Sequence, residues 1–354
     1  MEELLQQIEK NVLESMDDVV SLRILNFANI AGGYSEETFR CDLEIKHSDK
    51  SEEILPVIIR RDPVTEADIL PTSRKQEFTL IQNVQEKTNI PVPTPYLLDT
   101  DGSKFGRPTM MMERCVGDSD ITLLTAPGKE NELETIATEL CEHLAKLHTT
   151  DRAILDPDET LSDPRSVGID ITSWENYMET SINYFLANYQ KIAFDPMPVW
   201  FDMFNSLKYQ LPKPTSLVVC HGDFQPSNFL FENGKITGII DWENAHIGDP
   251  REEIGWVVHL SALSGIDILS AVKKDGGFLQ YYSNLTGIEV TEEDVGFFRM
   301  FSCSSLATPI LDAVRRRLSG ESSLFTHLYL LQPLVMSNPV YAAVLGYPAS
   351  SESP

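Results

Sequence analysis

The sequence is poor in basic residues and in cysteine. It has 28 lysines and arginines against 54 aspartates and glutamates, which gives a formal net charge of −26. Nucleic-acid phosphates require a basic surface, so this composition argues against a nucleic-acid partner. The five cysteines are scattered singly, without a CxxC pair, so neither a zinc site nor a disulfide framework is expected. A reducing, cytoplasmic location fits isolated thiols.

Long apolar runs are also missing. No stretch reaches about 18 uninterrupted apolar residues, so we expect no membrane span and no membrane partner. The chain starts Met-Glu-Glu without a basic segment before an apolar run, so we also expect no signal peptide. Hydrophobic residues still make up 42% of the 354 residues, which is ordinary for a globular chain of more than one domain core. The composition does not indicate an oligomeric state.

Residues 218–244 carry the strongest functional signal. A His-Gly-Asp tripeptide at 221–223 is followed five positions later by Asn228 and thirteen positions after that by Asp241. Phosphoryl transfer from ATP needs a carboxylate that accepts the proton of the attacking hydroxyl. It also needs an amide and a second carboxylate that hold magnesium at the phosphates. The combination predicts an ATP-dependent phosphotransferase, although each residue alone is more typical of a turn or a strand end.

The chain around this motif predicts three short strands. They are apolar runs, the last two joined by an Asn-Gly hairpin turn, and they cover residues 217–220, 229–231 and 236–240. We expect them to form one small sheet that brings Asp223 and Asp241 together at its mouth. Rigid strands would then hold the catalytic loop in place.

The motif resembles the signature of the aminoglycoside phosphotransferase and choline kinase-like family. That family has a His-Gly-Asp loop, an asparagine five residues on, and an Ile-Asp-Trp/Phe segment ending in Gly-Asp-Pro; here they are 221–223, Asn228, 240–243 and 248–250. The resemblance implies an α+β, protein-kinase-like two-lobed fold. It implies that Asp223 is the catalytic base and that Asn228 and Asp241 bind magnesium, with Glu243 as a candidate further ligand. Gly222 replaces the arginine of ordinary protein kinases and points to a small-molecule hydroxyl acceptor.

We expect the two lobes to be residues 1–113 and 114–354. The first should hold an amphipathic helix over residues 2–18 and strands near 24–30, 38–45 and 54–60. The loop between the first two strands contains Gly32, Gly33 and Ser35, and its glycines permit close backbone approach to phosphate. Gly-Gly before a strand is also a common hairpin, so this loop gains its meaning from the downstream motif.

Arg60 stands where most kinases of this fold have a lysine. One branch of the family has arginine there, including the kinase domains joined to acyl-CoA dehydrogenases, and the resemblance implies that Arg60 contacts the phosphates and pairs with Glu77 on the next helix. Arg61 remains a competitor for the phosphates. The strand at 108–113 resembles the family's last strand before the hinge, so backbone groups near Met112, Glu113 and Arg114 are expected to receive the adenine edge.

The second lobe should be mainly helical. A long amphipathic helix ends near His148, which we expect to bind backbone behind the catalytic loop. Glu253 stands where the family has an aspartate, and we expect it to cap the helix that follows. Loops at 153–170 and 191–198 are expected to border the acceptor pocket. The run 315–317, three arginines, is either a solvated face or a contact for an anionic acceptor.

The sequence therefore predicts an ATP- and magnesium-dependent O-phosphotransferase of a small hydroxylated molecule. A hydroxyacyl compound is one candidate acceptor, and an aminoglycoside or other antibiotic is the alternative. A nucleotide-binding pseudokinase with a regulatory role is a second alternative, motivated by Arg60 in the lysine position. The acceptor, the choice between ATP and GTP, and the pathway are not decided by the sequence.

Overall fold

The first part of the chain is built on an antiparallel sheet. The computed structural model describes residues 2–30, 37–62, 73–161, 168–192, 198–321, 339 and 342–347. Five strands lie in the spatial order β1-β2-β3-β5-β4, and their bounds are β1 Val19–Asn29, β2 Glu37–His47, β3 Glu52–Arg61, β4 Pro95–Asp99 and β5 Thr109–Glu113. The loop residues Gly32, Gly33 and Ser35 lie outside the described residues. The predicted boundary after residue 113 stays a prediction, although β5 ends there.

Two helices flank this sheet. Helix α1 (Glu2–Ser15) buries Leu4, Ile8 and Val12 against the sheet core, as the periodicity of the opening residues predicts. It ends three residues earlier than expected, because Asp18 adopts a left-handed conformation (φ 64°) as the chain enters β1. Helix α2 (Arg74–Lys87) buries Leu80, Ile81 and Val84 in the core of the second part of the chain, so it links the two parts.

The second part is mainly helical. Its helices are α3 Glu130–Thr149, α4 Arg152–Leu155, α5 Trp174–Ile192, α6 Pro198–Tyr209, α7 Arg251–Ser264, α8 Phe278–Thr286 and α9 Glu292–Leu318. One core lies around α3, α8 and residues 218–248, and a second core is made by aromatic residues of α5, α6 and α9. Helices α7 and α9 cross closely at Gly255, where an added Cβ would lie 2.4 Å from the carbonyl carbon of Phe298. None of the described helices is both long and apolar enough to cross a membrane.

Residues 218–248, which contain the His-Gly-Asp motif, form two small sheets rather than the one expected. Strand β6 (Val218–Cys220) pairs with β9 (His246–Gly248), whereas β7 (Phe229–Glu232) and β8 (Lys235–Ile239) form a separate hairpin. The hairpin turn has positive φ at Asn233 (52°) and Gly234 (72°), as the Asn-Gly signal predicts. The single-sheet expectation is wrong because β9, only three residues long, gives no pattern in the sequence.

Candidate active site

The loop after β6 is anchored by a buried histidine. The Nε2 atom of His221 lies 2.9 Å from the carbonyl oxygen of Ile240, and its Nδ1 lies 3.2 Å from the backbone nitrogen of Asp223. A carbonyl only accepts and a backbone N–H only donates, so these partners assign the proton to Nε2. Both ring nitrogens of His221 therefore hold the loop in shape.

Gly222 lets two loops approach each other. Its φ is 84°, and a Cβ at this position would lie 2.0 Å from the carbonyl oxygen of Asn244. Any side chain would collide with backbone there and would also strain its own φ. The glycine of the motif thus brings the loop that carries Asp223 against the turn that follows Asp241.

A buried chain of hydrogen bonds supports this loop from behind. The backbone N–H of Gly222 donates to Glu253 Oε1 at 2.9 Å, and Glu253 Oε2 lies 2.8 Å from His148 Nε2. The other ring nitrogen of His148 lies 2.7 Å from the hydroxyl of Tyr282. Burial raises the pKa of Glu253, but the contacts with His148, together with His221 and the backbone N–H of Gly222, hold this pKa below its ordinary value.

These contacts correct two expectations. Glu253 does not cap α7, which has Pro250 at its N-cap and no side-chain cap bond, because its carboxylate is turned inward to Gly222. His148 binds the side chains of Glu253 and Tyr282 rather than backbone. Donor atoms of His148, Cys220 and Glu253 lie within 4.8 Å of one another, which is metal-like spacing, but both nitrogens of His148 already have hydrogen-bond partners.

The carboxylate of Asp223 is held by three side chains. Gln225 Nε2 donates to Oδ1 and Oδ2 at 2.9 and 2.8 Å, Trp256 Nε1 donates to Oδ1 at 2.8 Å, and Asn228 Nδ2 donates to Oδ2 at 2.9 Å. Burial raises the pKa of Asp223 and the negative charge of Asp241 raises it further, while the bonds from Trp256 and Gln225 oppose the rise. A fixed carboxylate with a raised pKa suits a general base. Neither Gln225 nor Trp256 was predicted from the sequence, because neither belongs to the motif residues.

A backbone hydrogen bond joins the segments that carry Asn228 and Asp241. The N–H of Ile240 donates to the carbonyl oxygen of Asn228 at 3.0 Å, which ties the two segments together. Asp241 has φ 69° and ψ 55°, a left-handed conformation that aspartate tolerates better than most residues. Among the described residues, none donates a hydrogen bond to Oδ1 of Asn228. Carboxylate and amide oxygens are the ligand types that magnesium prefers, so this donor set fits that ion.

Arg60 reaches across from β3 to the same place. Its Nη1 donates to Glu77 Oε1 at 2.5 Å, and its Nη2 donates to Asp241 Oδ1 and to Glu243 Oε2, each at 2.8 Å. The structure therefore brings together four charged residues that the sequence singled out, from β3, from α2 and from the turn after β8. Arg60 is only 7% exposed, so water weakens these contacts little.

Arg61 turns to the opposite face of the sheet. Its Nη2 donates to the carbonyl oxygen of Phe105 at 3.0 Å, and its Nη1 lies 3.7 Å from a carboxylate oxygen of Glu37. Side chains alternate along a strand, so only one of the two neighbouring arginines can face Asp241. The geometry therefore favours Arg60 over Arg61 for a contact with phosphates.

Glu243 is shared by two arginines. Its Oε2 accepts from Arg60 and, at 3.2 Å, from Nη2 of Arg74, a residue that the sequence reasoning missed. Burial raises the pKa of Glu243 to about 7, with a further contribution from the charge of Asp241, and the two guanidinium groups oppose the rise. The structure thus shows Glu243 bound to arginines, and its assignment as a metal ligand stays a prediction.

Near the end of β5, the backbone N–H groups of the residues expected to bind adenine already have hydrogen-bond partners within the protein. The N–H of Glu113 donates to the carbonyl oxygen of Thr94 at 2.8 Å, and that of Arg114 donates to Pro56 at 3.0 Å. Met112 is buried within the sheet, paired with Ile58 of β3. At the next position, the N–H of Cys115 donates to no other described residue. Adenine contacts at residues 112–114 stay a prediction, and the first N–H available to a ligand belongs to Cys115.

The fold is that of a two-lobed, protein-kinase-like protein, and the site has the residue types of a phosphotransferase. Residues 28–287 match the model of the phosphotransferase enzyme family, so the chain belongs to that family. A candidate aminoglycoside phosphotransferase from Ralstonia eutropha superposes with a TM-score of 0.70 at 18% identity and 97% coverage of both chains. Aminoglycoside 2'-phosphotransferase-IIIa, in its GDP complex, superposes with a TM-score of 0.62 at 14% identity over 96% of this chain and 99% of that one. These structures share the kinase-like fold.

Curated relatives match over shorter regions. Mouse acyl-CoA dehydrogenase family member 10 is 26% identical over 264 residues, which covers 72% of this chain and 22% of that protein. Hygromycin-B 4-O-kinase from Escherichia coli is 31% identical over 81 residues, which covers 23% of this chain and 20% of that protein. The aligned regions span about a fifth of the length of the curated relatives.

Proposed function

We propose that this protein is an ATP- and magnesium-dependent O-phosphotransferase that acts on a hydroxyl group of a small molecule. The observation that carries the proposal is the convergence of Asp223, Asn228, Asp241 and Arg60 at one place, from three separate segments of the chain. This set supplies a proton acceptor, oxygen ligands for a hard cation and a phosphate-binding cation. Membership of the phosphotransferase enzyme family supports the same reaction class.

The proposed mechanism relies on positioning and charge stabilisation. Asp223 accepts the proton of the acceptor hydroxyl, while Gln225 and Trp256 keep its carboxylate in one orientation. Asn228 and Asp241 hold magnesium, which neutralises charge on the phosphates when bound. Arg60 binds the phosphate oxygens with a planar guanidinium, which differs in geometry from the usual lysine ammonium.

The nucleotide is assigned by analogy and by the site. Aminoglycoside phosphotransferase APH(4)-Ia has been solved with AMP-PNP and hygromycin B, and aminoglycoside 2'-phosphotransferase-IIIa with GDP, so proteins of this fold bind either kind of nucleotide. We propose ATP for this chain. The Cys115 N–H is an additional candidate for the adenine edge, next to the predicted residues Met112, Glu113 and Arg114.

For the acceptor we propose a neutral or anionic hydroxylated metabolite, with a hydroxyacyl compound as the leading candidate. The likeness to acyl-CoA dehydrogenase family member 10 supports this choice, and the short likeness to hygromycin-B 4-O-kinase supports the antibiotic alternative. The arginine run gives less support than its charge suggests. Arg315 pairs with Asp312 and Glu321, and Arg316 pairs with Asp312.

A substrate screen tests the proposal. Purified protein with Mg-ATP would be assayed for phosphate transfer to hydroxyacyl-CoAs, aminoglycosides, macrolides, choline and sugars. Transfer to any hydroxyl supports the kinase assignment, and efficient transfer to an aminoglycoside would overturn the acceptor choice alone. Mg-ATP binding without transfer and without slow ATP hydrolysis would favour the pseudokinase alternative.

A further inference from the structure

Arg74 is buried at the start of α2 and contacts three carboxylates of described residues, from three segments. It is 2% exposed. Its Nε donates to Asp62 Oδ1 at 2.8 Å, its Nη2 donates to Glu243 Oε2 at 3.2 Å, and its Nη1 donates to Glu77 Oε2. Asp62 directly follows β3, and Glu243 lies in the turn after Asp241. Arg74 therefore joins the sheet, α2 and the predicted metal-binding turn.

Arg74 and Arg60 share the same two glutamates. Glu77 gives Oε1 to Arg60 and Oε2 to Arg74, and Glu243 gives its Oε2 to both arginines. The four side chains form a closed ring of alternating charge. Arg60 also donates from Nη2 to Asp241 Oδ1 at 2.8 Å, which connects the ring to the proposed metal site.

The two glutamates of the ring attract both Arg60 and Arg74. The side chains of Glu77 and Glu243 are 1% and 13% exposed, so each needs a nearby cation. With Arg74 in place, two guanidinium groups together neutralise the charges of Glu77 and Glu243. Without it, both glutamates would depend more on Arg60, which would then be drawn away from Asp241 and from incoming phosphates. The site would also be more negative, which disfavours ATP.

We propose that Arg74 is a positioning residue for nucleotide binding, which acts through Glu243 to leave Arg60 available to phosphates. This inference rests on the proposed function, because it assumes that Arg60 binds the phosphates of Mg-ATP. Arg74 itself does not touch the nucleotide. Its contact with Asp62 serves the fold and is separate from this role.

A set of substitutions separates the two roles of Arg74. The dissociation constant of Mg-ATP would be measured by isothermal titration calorimetry for Arg74→Gln in three backgrounds: unmodified, Glu243→Gln and Asp62→Asn. Each background substitution removes one negative charge next to the same guanidinium, so Asp62→Asn is the matched control. We expect Arg74→Gln to weaken binding about tenfold in the unmodified and Asp62→Asn backgrounds, and less than about threefold in Glu243→Gln.

Two results would overturn the inference. One is an equal loss of affinity in all three backgrounds, and the other is equal relief by Asp62→Asn and Glu243→Gln, since either would show a structural or long-range charge effect. If Arg74→Gln does not fold, Arg74→Lys takes its place, because lysine keeps the charge but its compact ammonium lacks the planar fork of donors that spans Asp62, Glu77 and Glu243. If the unmodified protein binds no Mg-ATP, the proposed function fails, and that result is distinct from a failed Arg74 effect.

Discussion

Asp223 shows how single side chains prepare the site. Its carboxylate accepts from an indole, two amides and no charged group among the described contacts. Neutral donors orient a carboxylate without neutralising it, so the group keeps its affinity for a proton. An arginine in the same position would have lowered the pKa and weakened the base.

We expect Asp223→Asn to lower turnover by about 10^2-fold or more while Mg-ATP still binds, because an amide is nearly isosteric but cannot accept the proton. Steady-state kinetics on a verified acceptor, with calorimetry for the nucleotide, would measure both effects. Unchanged turnover would remove Asp223 from the catalytic role. Unchanged thermal stability of the variant would show that any loss is chemical.

At the proposed metal site, we expect Asp241→Ala to abolish the magnesium-dependent part of ATP binding, because it deletes a proposed charged ligand. Asn228→Ala should have a milder effect on the metal. It should also lower turnover, since Asn228 holds Asp223 at 2.9 Å. Nucleotide titrations with and without magnesium would compare the variants, and an identical magnesium response in the unmodified protein and Asp241→Ala would contradict the assignment.

A buried histidine should make the protein sensitive to acid. Burial lowers the pKa of His259 to about 4, with a smaller effect from the charge of Arg299. The unfolded chain protonates this histidine near its ordinary pKa of 6.5, so the stabilising contribution of neutral His259 is present above that pH. It is lost as pH falls towards 4, and the gap corresponds to roughly 3 kcal/mol.

We therefore expect His259→Gln to flatten the fall in unfolding free energy between pH 6.5 and 4. Urea unfolding at several pH values would measure it. His47→Gln is the control, since that ring lies at the surface with 25% of its side chain exposed. A pH profile unchanged by His259→Gln would refute the expectation.

At the scale of elements, the crossing of α7 and α9 depends on one glycine. An added Cβ at Gly255 would lie 2.4 to 2.7 Å from backbone atoms of Phe298 and Arg299. We expect Gly255→Ala to destabilise the fold by about 1–3 kcal/mol, because backbone cannot yield as a flexible side chain can. Urea unfolding would measure the loss.

Gly296 supplies the control on the same pair of helices. Among the described residues, an added Cβ there would meet only Val344, at 3.6 Å. We expect Gly296→Ala to be neutral or to stabilise by about 0.5–1 kcal/mol through helix propensity. Equal effects of the two substitutions would show that the close approach at Gly255 is not limiting.

Elements with a clear period could be predicted from the sequence. Helix α3 and strands β2 and β3 follow apolar repeats, and the residues predicted for each lie within the observed bounds of that element. The pairing of β6 with β9 could not be predicted, because a three-residue strand carries no period and its partner lies elsewhere in the chain. A local sequence pattern predicts a helix or a strand, but it does not predict which other strand it will pair with.

The same limit applies to the site. The residues of the His-Gly-Asp motif could be predicted because they share one stretch of sequence. Trp256 and Arg74 could not, because their bonds to Asp223 and Glu243 span 33 and 169 positions. A tryptophan or an arginine on a helix gives no sign of such a distant partner, which only the packing of α7 and α2 decides.

At the scale of the whole molecule, a nucleotide bound between the two lobes should hold them together. We expect Mg-ATP at about 100 times its dissociation constant to stabilise the protein by about 2.7 kcal/mol, which corresponds to several degrees in melting temperature. Chelation of magnesium should remove most of this shift, because Asp241 and the phosphates then repel each other. An equal shift with and without magnesium would argue against the proposed cofactor site. Thermal melting with excess EDTA is the measurement.

The aromatic core of α5, α6 and α9 has a consequence for synthesis of the chain. The rings of Phe185 and Phe301 lie 5.6 Å apart in space but 116 positions apart in the sequence. Ribosomes add about 5–20 residues per second, so α5 and α6 wait roughly 6–23 seconds for their partner helix. Their apolar faces lack this partner over that interval, so the nascent chain is most prone to aggregation before α9 has been made.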